Sequence, residues 1–256
     1  MSSQSENQNP PDLSVVVPVH NEADNIRPLV DEIVVALKDG PAFEMVFVND
    51  GSADTSADVL AAVAREIPNF RVLQHARQSG QSVAVHTGVS HARGLLIATL
   101  DGDGQNDPAD IPNLVATYRD QAASDGKVLI VGWRKGRKDT FVKRMSSKIA
   151  NGVRSRILGD ATPDTGCGLK VLRREDFLAF PAFNHMHRFL PALMLRQGGR
   201  VVSVEVNHRP RERGQSNYGT LDRLWVGLTD LRGVAWLRAR PVNPDVSEIG
   251  SDSQVA

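Results

Sequence analysis

"LSVVVPVHNEADNIRPLVDEIVVALKDG", residues 13–40, changes its period halfway along. Leu13–Val17 is a short, mostly β-branched run, which is what a strand buried on both faces requires. From Ile26 onward the apolar positions Ile26, Leu29, Val30, Ile33, Val34 and Leu37 fall at helical spacing, and Gly40 supplies a stop. The same alternation continues downstream. Glu44–Val48, Phe70–Leu73, Leu95–Leu100 and Val128–Val131 read as further strands, with helices over Thr55–Ile67 and Asp110–Gln121, the latter opened by Pro108 and Pro112. Strand and helix alternating at this interval predict a mainly parallel α/β sheet with flanking helices. In such sheets ligands bind at the carboxyl ends of the strands.

The chain has 256 residues, 41% of them apolar, enough for one large domain or two small ones. A single cysteine, Cys167, excludes an intrachain disulfide. "MSSQSENQNPPD" has neither the basic nor the apolar region of an export signal, and no stretch approaches 18 consecutive apolar residues. These features predict a protein in the cytoplasm or held on a membrane surface from inside. Residues 1–12 and 241–256 are polar and are expected to be disordered. The formal net charge of zero hides an asymmetry: residues 1–130 carry 8 Lys+Arg against 18 Asp+Glu, and residues 131–240 carry 22 against 9. A half with net charge +13 suits phosphates, whether of a nucleotide, a nucleic acid or lipid headgroups, although a solvated surface would look the same.

Three loops follow the strands on the predicted binding edge. Pro18-Val19-His20-Asn21-Glu22 comes after the first, Asn49-Asp50-Gly51-Ser52 after the second, and Asp101-Gly102-Asp103-Gly104-Gln105 after the fourth. Asp50 can accept from the ring N–H of uracil or guanine. Asp101 and Asp103, at i, i+2 spacing on a strand end, would point the same way. Two such carboxylates are hard oxygen ligands for Mg²⁺ or Mn²⁺, with Gln105 as a neutral third and a substrate's phosphates completing the shell. An EF-hand beginning at Asp101 needs Gly and Glu where Asn106 and Pro112 stand, so that alternative fails. A solvated turn rich in Asp, Gly and Asn is the other alternative.

The segments "SVVVPVHNEADNI" (14–26), "VFVNDGSADTS" (46–56), "QSGQSVAVHTGV" (78–89) and "ATLDGDGQNDP" (98–108) occur in an order that resembles the family 2 glycosyltransferases. "GWRKGRKD" (132–139), "DTGCGLKVLRRE" (164–175) and "HRFLPALMLRQGGRVVSVEVNHRPRERGQSNYG" (187–219) are similar to the branch that makes polyprenyl- or dolichyl-phosphate sugars. The resemblance runs from about Leu13 to Arg240. It implies a nucleotide-sugar-binding, GT-A-like fold over residues 13–220, with a nucleotide-sugar half (13–132) and an acceptor half (133–220).

By position, the resemblance assigns the donor nucleotide to Pro18, His20, Glu22, Val48 and Asp50. Metal and diphosphate fall to Asp101, Gly102, Asp103 and Gln105, and phosphate contacts to Arg134 and to a late stretch, Arg211-Glu212-Arg213-Gly214-Gln215-Ser216-Asn217. His20 stands where the family more often has Tyr, and Asn217 where Lys is usual, which removes a charge that Arg209 or Arg213 would have to replace. Asp103, Arg134 and Arg211 are then the expected catalytic groups of a metal-dependent, inverting transfer from a GDP- or UDP-sugar.

Acceptor chemistry follows from charge. A phosphate monoester is already anionic at neutral pH, with a second pKa of about 6, and needs no general base, whereas a hydroxyl acceptor would. Arg137, Lys138, Lys143 and Arg144, followed by Ser147, form a basic run suited to a polyprenyl phosphate. The Gln-x-x-Arg-Trp stretch of family members that polymerise sugars is absent. A nucleotidyltransferase would want a Gly-rich loop after the first strand. A nucleic-acid binder would want interleaved aromatics, which make up only 5% of this chain.

Residues 221–240 place Leu221, Leu224, Trp225, Leu228, Leu231, Val234, Ala235 and Leu237 mostly on one helical face, flanked by Arg223, Arg232, Arg238 and Arg240. Such a helix can lie in the headgroup plane as a peripheral anchor, with or without a membrane-protein partner, or can simply pack on the domain. His185 and His187 look like a metal pair without a third ligand, so a structural or acceptor-side role is expected. Asp164 reads equally as a loop cap or an acceptor-side group, and Cys167 as a packed thiol.

Overall fold

The computed structural model describes residues 10–122, 126–135, 152, 154–210 and 220–240; for 220–226 and 228 it describes the backbone alone. The elements are β1 (Leu13–Val19), α1 (Ala23–Leu37), β2 (Phe43–Asn49), α2 (Ser56–Glu66), β3 (Phe70–Gln74), α3 (Gln81–His91), β4 (Leu96–Thr99) and α4 (Ile111–Ala122). They continue with β5 (Val128–Trp133), β6 (Lys170–Arg173), α5 (Arg174–Leu178), α6 (Leu190–Arg196), β7 (Arg200–Glu205) and α7 (Thr220–Arg238). One sheet runs in the order β3-β2-β1-β4-β6-β5-β7. Only β6 is antiparallel to its neighbours.

Both sheet faces are covered, which is why the strands read as continuous apolar runs rather than alternating ones. Val15, Val17, Met45 and Phe47 pack under Ile26, Ile33, Leu60 and Leu114, from α1, α2 and α4. Val16, Val46, Ile97 and Val131 point the other way, under Val85, Val89, Phe177 and Leu193, from α3, α5 and α6.

Helices α3, α5 and α6 and strands β6 and β7 have no counterpart in the sequence reading. Helix α3 shows only a weak apolar stripe, because its buried face mixes Ser82, Ala84 and Gly88 with Val85 and Val89. A Cβ on Gly88 would collide with Val16 and come within 3.1 Å of Val48. Gly88→Ala should therefore lower stability: overpacking at about 1–3 kcal/mol outweighs the roughly 1 kcal/mol gained in helix propensity. A fall in the thermal midpoint checks this, and a rise would overturn it. Strand β6 is only four residues long, and β7, an edge strand, mixes Arg, Ser and Glu with its valines. Asp12, expected to be disordered, donates its N–H to the Ala42 carbonyl at 2.8 Å and joins the sheet; residues 1–9 and 241–256 lie outside the described residues.

Helix α7 packs on the domain along one face, where Val234 is buried with Leu158, Phe189 and Ala192, and Leu231 and Ala235 lie against them. Arg196 caps its end, donating to the carbonyls of Leu237 and Arg240 at 2.9 Å each. The opposite face exposes Arg232 and Trp236, with the Arg240 guanidinium 4.5 Å from the Trp236 ring centre. No described helix is long and apolar enough to cross a membrane.

Candidate active site

The parallel strands deliver their loops to one edge, and side chains lace those loops together. Asn21 sits in the left-handed region (φ 56°), a conformation asparagine tolerates better than most residues. Its N–H donates to Ser52 Oγ at 3.0 Å, and its Oδ1 accepts from the Ala53 N–H at 2.8 Å. His20 Nδ1 lies 2.9 Å from the Asp50 carbonyl, which accepts, so Nδ1 carries the proton. Nε2 is then free to accept from Asn21 Nδ2 at 3.3 Å. Glu22 accepts from Asn25 Nδ2 at 2.6 Å, and Pro18 and Val48 form the ends of β1 and β2 beneath these loops.

Asp50 is buried, and its carboxylate holds the β3–α3 connection. It accepts from the N–H groups of Ser79 (2.8 Å) and Gly80 (2.7 Å) and pairs with His75 Nδ1 at 2.7 Å. Gly51, beside it, has φ 63°, and a Cβ there would overlap the backbone of Arg77 and Gln78. The carboxylate read as a base acceptor therefore also shapes the wall of the site.

Strand β4 ends at Thr99, so Asp101 and Asp103 lie in a turn and not on a strand end, and the expectation that spacing aims them alike does not hold. Asp101 accepts from Gln81 Nε2 at 2.7 Å, and its carboxylate packs so closely on Gly168 that a Cβ there would displace it. Asp103 accepts from the Gln105 N–H at 3.1 Å and lines an open cavity of about 370 Å³ with Asn25, Glu32 and Arg209. Gly102 makes the turn possible: a Cβ would come within 2.7 Å of the Pro18 carbonyl. Burial first, and then the Asp103 charge, push the Asp101 carboxyl up to about 6, against the pull of Lys170, Arg134 and Gln81. Two carboxylates straining against each other in this way are what a divalent cation relieves, so the residues present fit such an ion. Among the described residues no three His, Cys, Asp or Glu converge into a complete metal cage. One or two carboxylates with a substrate's phosphates is the usual arrangement for Mg²⁺.

Arg134, just past β5, meets Asp164 in a bidentate pair, Nε to Oδ2 at 2.7 Å and Nη2 to Oδ1 at 2.9 Å. Burial alone would weaken its charge; the Asp164 bond outweighs that and raises its pKa. The strand reversal at β6 brings a further cation here. Lys170, the first residue of β6, lies opposite Thr99 of β4 and Val131 of β5, is 3% exposed, and has its pKa lowered by burial. Nothing in the spacing of "DTGCGLKV" (164–171) flagged Lys170, and nothing in that of "QSGQSVAVHTGV" (78–89) flagged Gln81, because neither stands in a periodic pattern. Arg209 bridges Glu32 at 2.7 Å and Asp107 at 2.8 Å, so it stands beside Asp103 already paired.

His185 pairs with Asp230 of α7 at 2.9 Å, and His187 Nδ1 with Ser82 Oγ at 2.6 Å, so the two do not share a ligand. Burial, followed by the Lys170 charge, drives the His187 imidazole down to about 3 and keeps it neutral. Cys167 is fully buried, with its thiol pushed up by burial. Arg137, Lys138, Lys143, Arg144, Ser147, Arg211, Arg213, Ser216 and Asn217 lie outside the described residues.

Residues 14–179 match the family model described as "Glycosyl transferase family 2". The chain is 38% identical, over 90% of its length and 69% of the relative's, to a dodecaprenyl-phosphate galacturonate synthase of Rhizobium johnstonii. It is 35% identical, over 82% of its length and 63% of the relative's, to an undecaprenyl-phosphate 4-deoxy-4-formamido-L-arabinose transferase of Edwardsiella ictaluri. The chain thus spans about two thirds of the length of these curated relatives. Among solved structures, a mannosyl-3-phosphoglycerate synthase of Rubrobacter xylanophilus superposes with a TM-score of 0.67 at 19% identity, covering 94% of this chain and 78% of that one. A glucosyl-3-phosphoglycerate synthase of Mycobacterium tuberculosis, solved with Mn²⁺ and UDP, superposes at 0.66 and 19% identity, covering 92% and 81%. These neighbours share the GT-A fold.

Proposed function

We propose that this chain, which belongs to glycosyl transferase family 2, moves a sugar from a nucleotide-sugar donor onto a polyprenyl phosphate at the cytoplasmic face of a membrane. The observation that carries the proposal is the Asp101 carboxylate, held by Gln81 and packed on Gly168 beside Asp103 at the carboxyl edge of the sheet, where the charges of Lys170 and Arg134 favour its own. The names of the relatives, polyprenyl-phosphate sugar synthases and transferases, support the acceptor class.

Asp101, Asp103 and Gln105 would hold a Mg²⁺ or Mn²⁺ ion, which when bound neutralises charge on the donor diphosphate. Pro18, His20, Glu22, Val48 and Asp50 are assigned to the nucleotide, Val48 through its backbone, since its side chain is fully buried. Asp164 accepts from Nε, Nη2 and the backbone N–H of Arg134, so the guanidinium is held rigid. Arg134, with Arg211 and Asn217 of the late stretch, is assigned to the donor phosphates, and Arg137, Lys143 and Ser147 to the acceptor phosphate. The acceptor, a monoester near its dianionic form at pH 7, needs no base from the protein. Its oxygen attacks the anomeric carbon on the face opposite the leaving diphosphate. One carbon–oxygen bond forms as the other breaks, the electron pair leaves on the diphosphate, and the configuration inverts. The chain's own task is to let two anionic phosphates approach, which positive groups placed beforehand accomplish. On α7, exposed Trp236 and Arg232 form the surface proposed to meet headgroups.

The test is transfer of label into the lipid phase. Purified protein with Mn²⁺ or Mg²⁺ and a short polyprenyl phosphate in vesicles is offered labelled GDP-mannose, UDP-glucose and UDP-uronic acids in turn, with Asp103→Ala as control. Lipid-soluble label that needs both metal and Asp103 is the expected result and names the donor. Metal-dependent nucleotide binding with no lipid product from any donor would reject the phosphate acceptor.

A further inference from the structure

Residues 160–168 belong to neither a helix nor a strand. Backbone N–H groups reach the Leu169 carbonyl, from Gly132 at 2.9 Å, and the Asp164 carbonyl, from Cys167 at 3.5 Å. The carbonyls of Thr162, Cys167 and Gly168 need other donors. Buried side chains take over that task. Arg154 donates Nη2 to the Thr162 carbonyl at 2.8 Å and Nη1 to Thr165 Oγ1, and Thr99 Oγ1 donates to the Gly168 carbonyl at 2.6 Å. Lys170 donates Nζ to the Cys167 carbonyl. This turn touches both halves of the site: Asp164 accepts from the backbone N–H, Nε and Nη2 of Arg134, and Gly168 lies against the Asp101 carboxylate.

A neutral donor could satisfy the Cys167 carbonyl without the desolvation cost of burying an ammonium. Among the described residues Lys170 forms no direct ion pair, although the charges of Asp101 and Asp164 both favour its own. Its antiparallel strand places it between the ends of β4 and β5, the two strands that carry Asp101 and Arg134. We propose that Lys170 is a positioning residue for the transfer reaction: by holding the Cys167 carbonyl it fixes the 164–168 turn, and with it the separation of the Arg134 guanidinium from the Asp101 carboxylate. The kinetic half of this inference rests on the function proposed above; the structural half does not.

The experiment compares Lys170→Met, which removes both charge and donor, with Lys170→Gln, which keeps a donor. Hydrogen exchange is followed by mass spectrometry on peptides covering 160–170, alongside kcat and KM for the donor. In Lys170→Met, exchange in those peptides should quicken about tenfold while the β1, β2 and β4 peptides stay unchanged. Its kcat should fall about 10–100-fold with KM nearly constant, as expected of a misplacement of about 1 Å. Lys170→Gln should recover both the protection and most of the rate. Should Lys170→Met fail to fold, Thr99→Val, which frees the neighbouring Gly168 carbonyl, is expected to show the same pattern. Unchanged exchange in Lys170→Met would overturn the proposal. So would a Lys170→Gln variant that keeps its protection yet is as slow as the methionine variant, since the charge alone would then matter. If wild-type protein transfers no sugar, the exchange comparison still decides the positioning role, and the functional proposal falls separately.

Discussion

Replacing Asp101 by asparagine is expected to abolish sugar transfer and, in the same protein, to raise the stability of the metal-free fold at pH 7.5. The carboxyl of Asp101 is raised from 3.8 to about 6, by burial first and by Asp103 second. A carboxyl raised on folding favours the folded state fully below its unfolded value, and that contribution is lost as pH climbs through the folded value. In chelator, wild-type stability should therefore decline between about pH 4 and pH 7, by on the order of 1–3 kcal/mol at 1.36 kcal/mol per pKa unit. Asparagine has nearly the same shape, keeps an oxygen for Gln81 Nε2 and still fits against Gly168, so Asp101→Asn escapes the decline.

Catalysis responds in the opposite direction. Losing this ligand should cost at least about 10³-fold in transfer rate, roughly 4 kcal/mol of barrier. Added Mn²⁺ should stabilise wild-type protein and leave the variant unmoved. In wild type the Mn²⁺ affinity should weaken about tenfold per pH unit below 6, because a proton competes for the same oxygens. Thermal unfolding in chelator and in Mn²⁺ across pH 4–8, with the transfer assay beside it, checks each part. An Asp101→Asn protein destabilised at pH 7.5 in chelator would contradict the electrostatic account of this turn.

The second large effect concerns the Arg134–Asp164 clamp, whose side chains are 9% and 16% exposed. Asp164→Ala leaves a buried guanidinium without its carboxylate and should cost about 3–5 kcal/mol. Adding Arg134→Met removes the stranded charge, and the double variant should regain much of that stability. Transfer should stay below about 1% of wild type in both, because Asp164→Ala releases the guanidinium from its fixed position and a methionine in the double variant cannot stabilise charge on a phosphate. Arg134→Lys should also be poor: one ammonium cannot reproduce the planar fork that Asp164 grips at 2.7 and 2.9 Å. Urea unfolding and transfer rates separate the two quantities. A stable, active double variant would show the clamp to be architectural only.

How much of this was legible beforehand depended on range. Leu13–Val17 announced β1 because a parallel strand covered on both faces has no room for polar residues, and α1 was visible because only one of its faces is covered. The four aspartates from Asp101 to Asp110 were visibly a loop after a strand, and the parallel topology placed that loop on the binding edge. Helix α3 escaped because Ser82, Ala84 and Gly88 share its buried face with Val85 and Val89, and the close approach these small residues allow leaves the apolar period weak.

Partnership was decided only by the fold. Asp101 and Asp103 differ by two residues in sequence, yet one faces Gln81 and Gly168 and the other an open cavity beside Arg209. Asp50 had spare acceptors on paper; the β3–α3 connection takes three of them, with His75, Ser79 and Gly80. Arg134 meets Asp164 across 30 residues, and Lys170 reaches the site because β6 runs backwards between β4 and β5. By itself the sequence determined the alternation of elements, the edge on which a ligand binds and the residue types gathered there, since these follow from local periodicity and from covalent order. Which charges face each other, which are desolvated and which are already satisfied was settled by the tertiary structure alone, because a charge's energy depends on neighbours and burial that spacing along the chain does not encode.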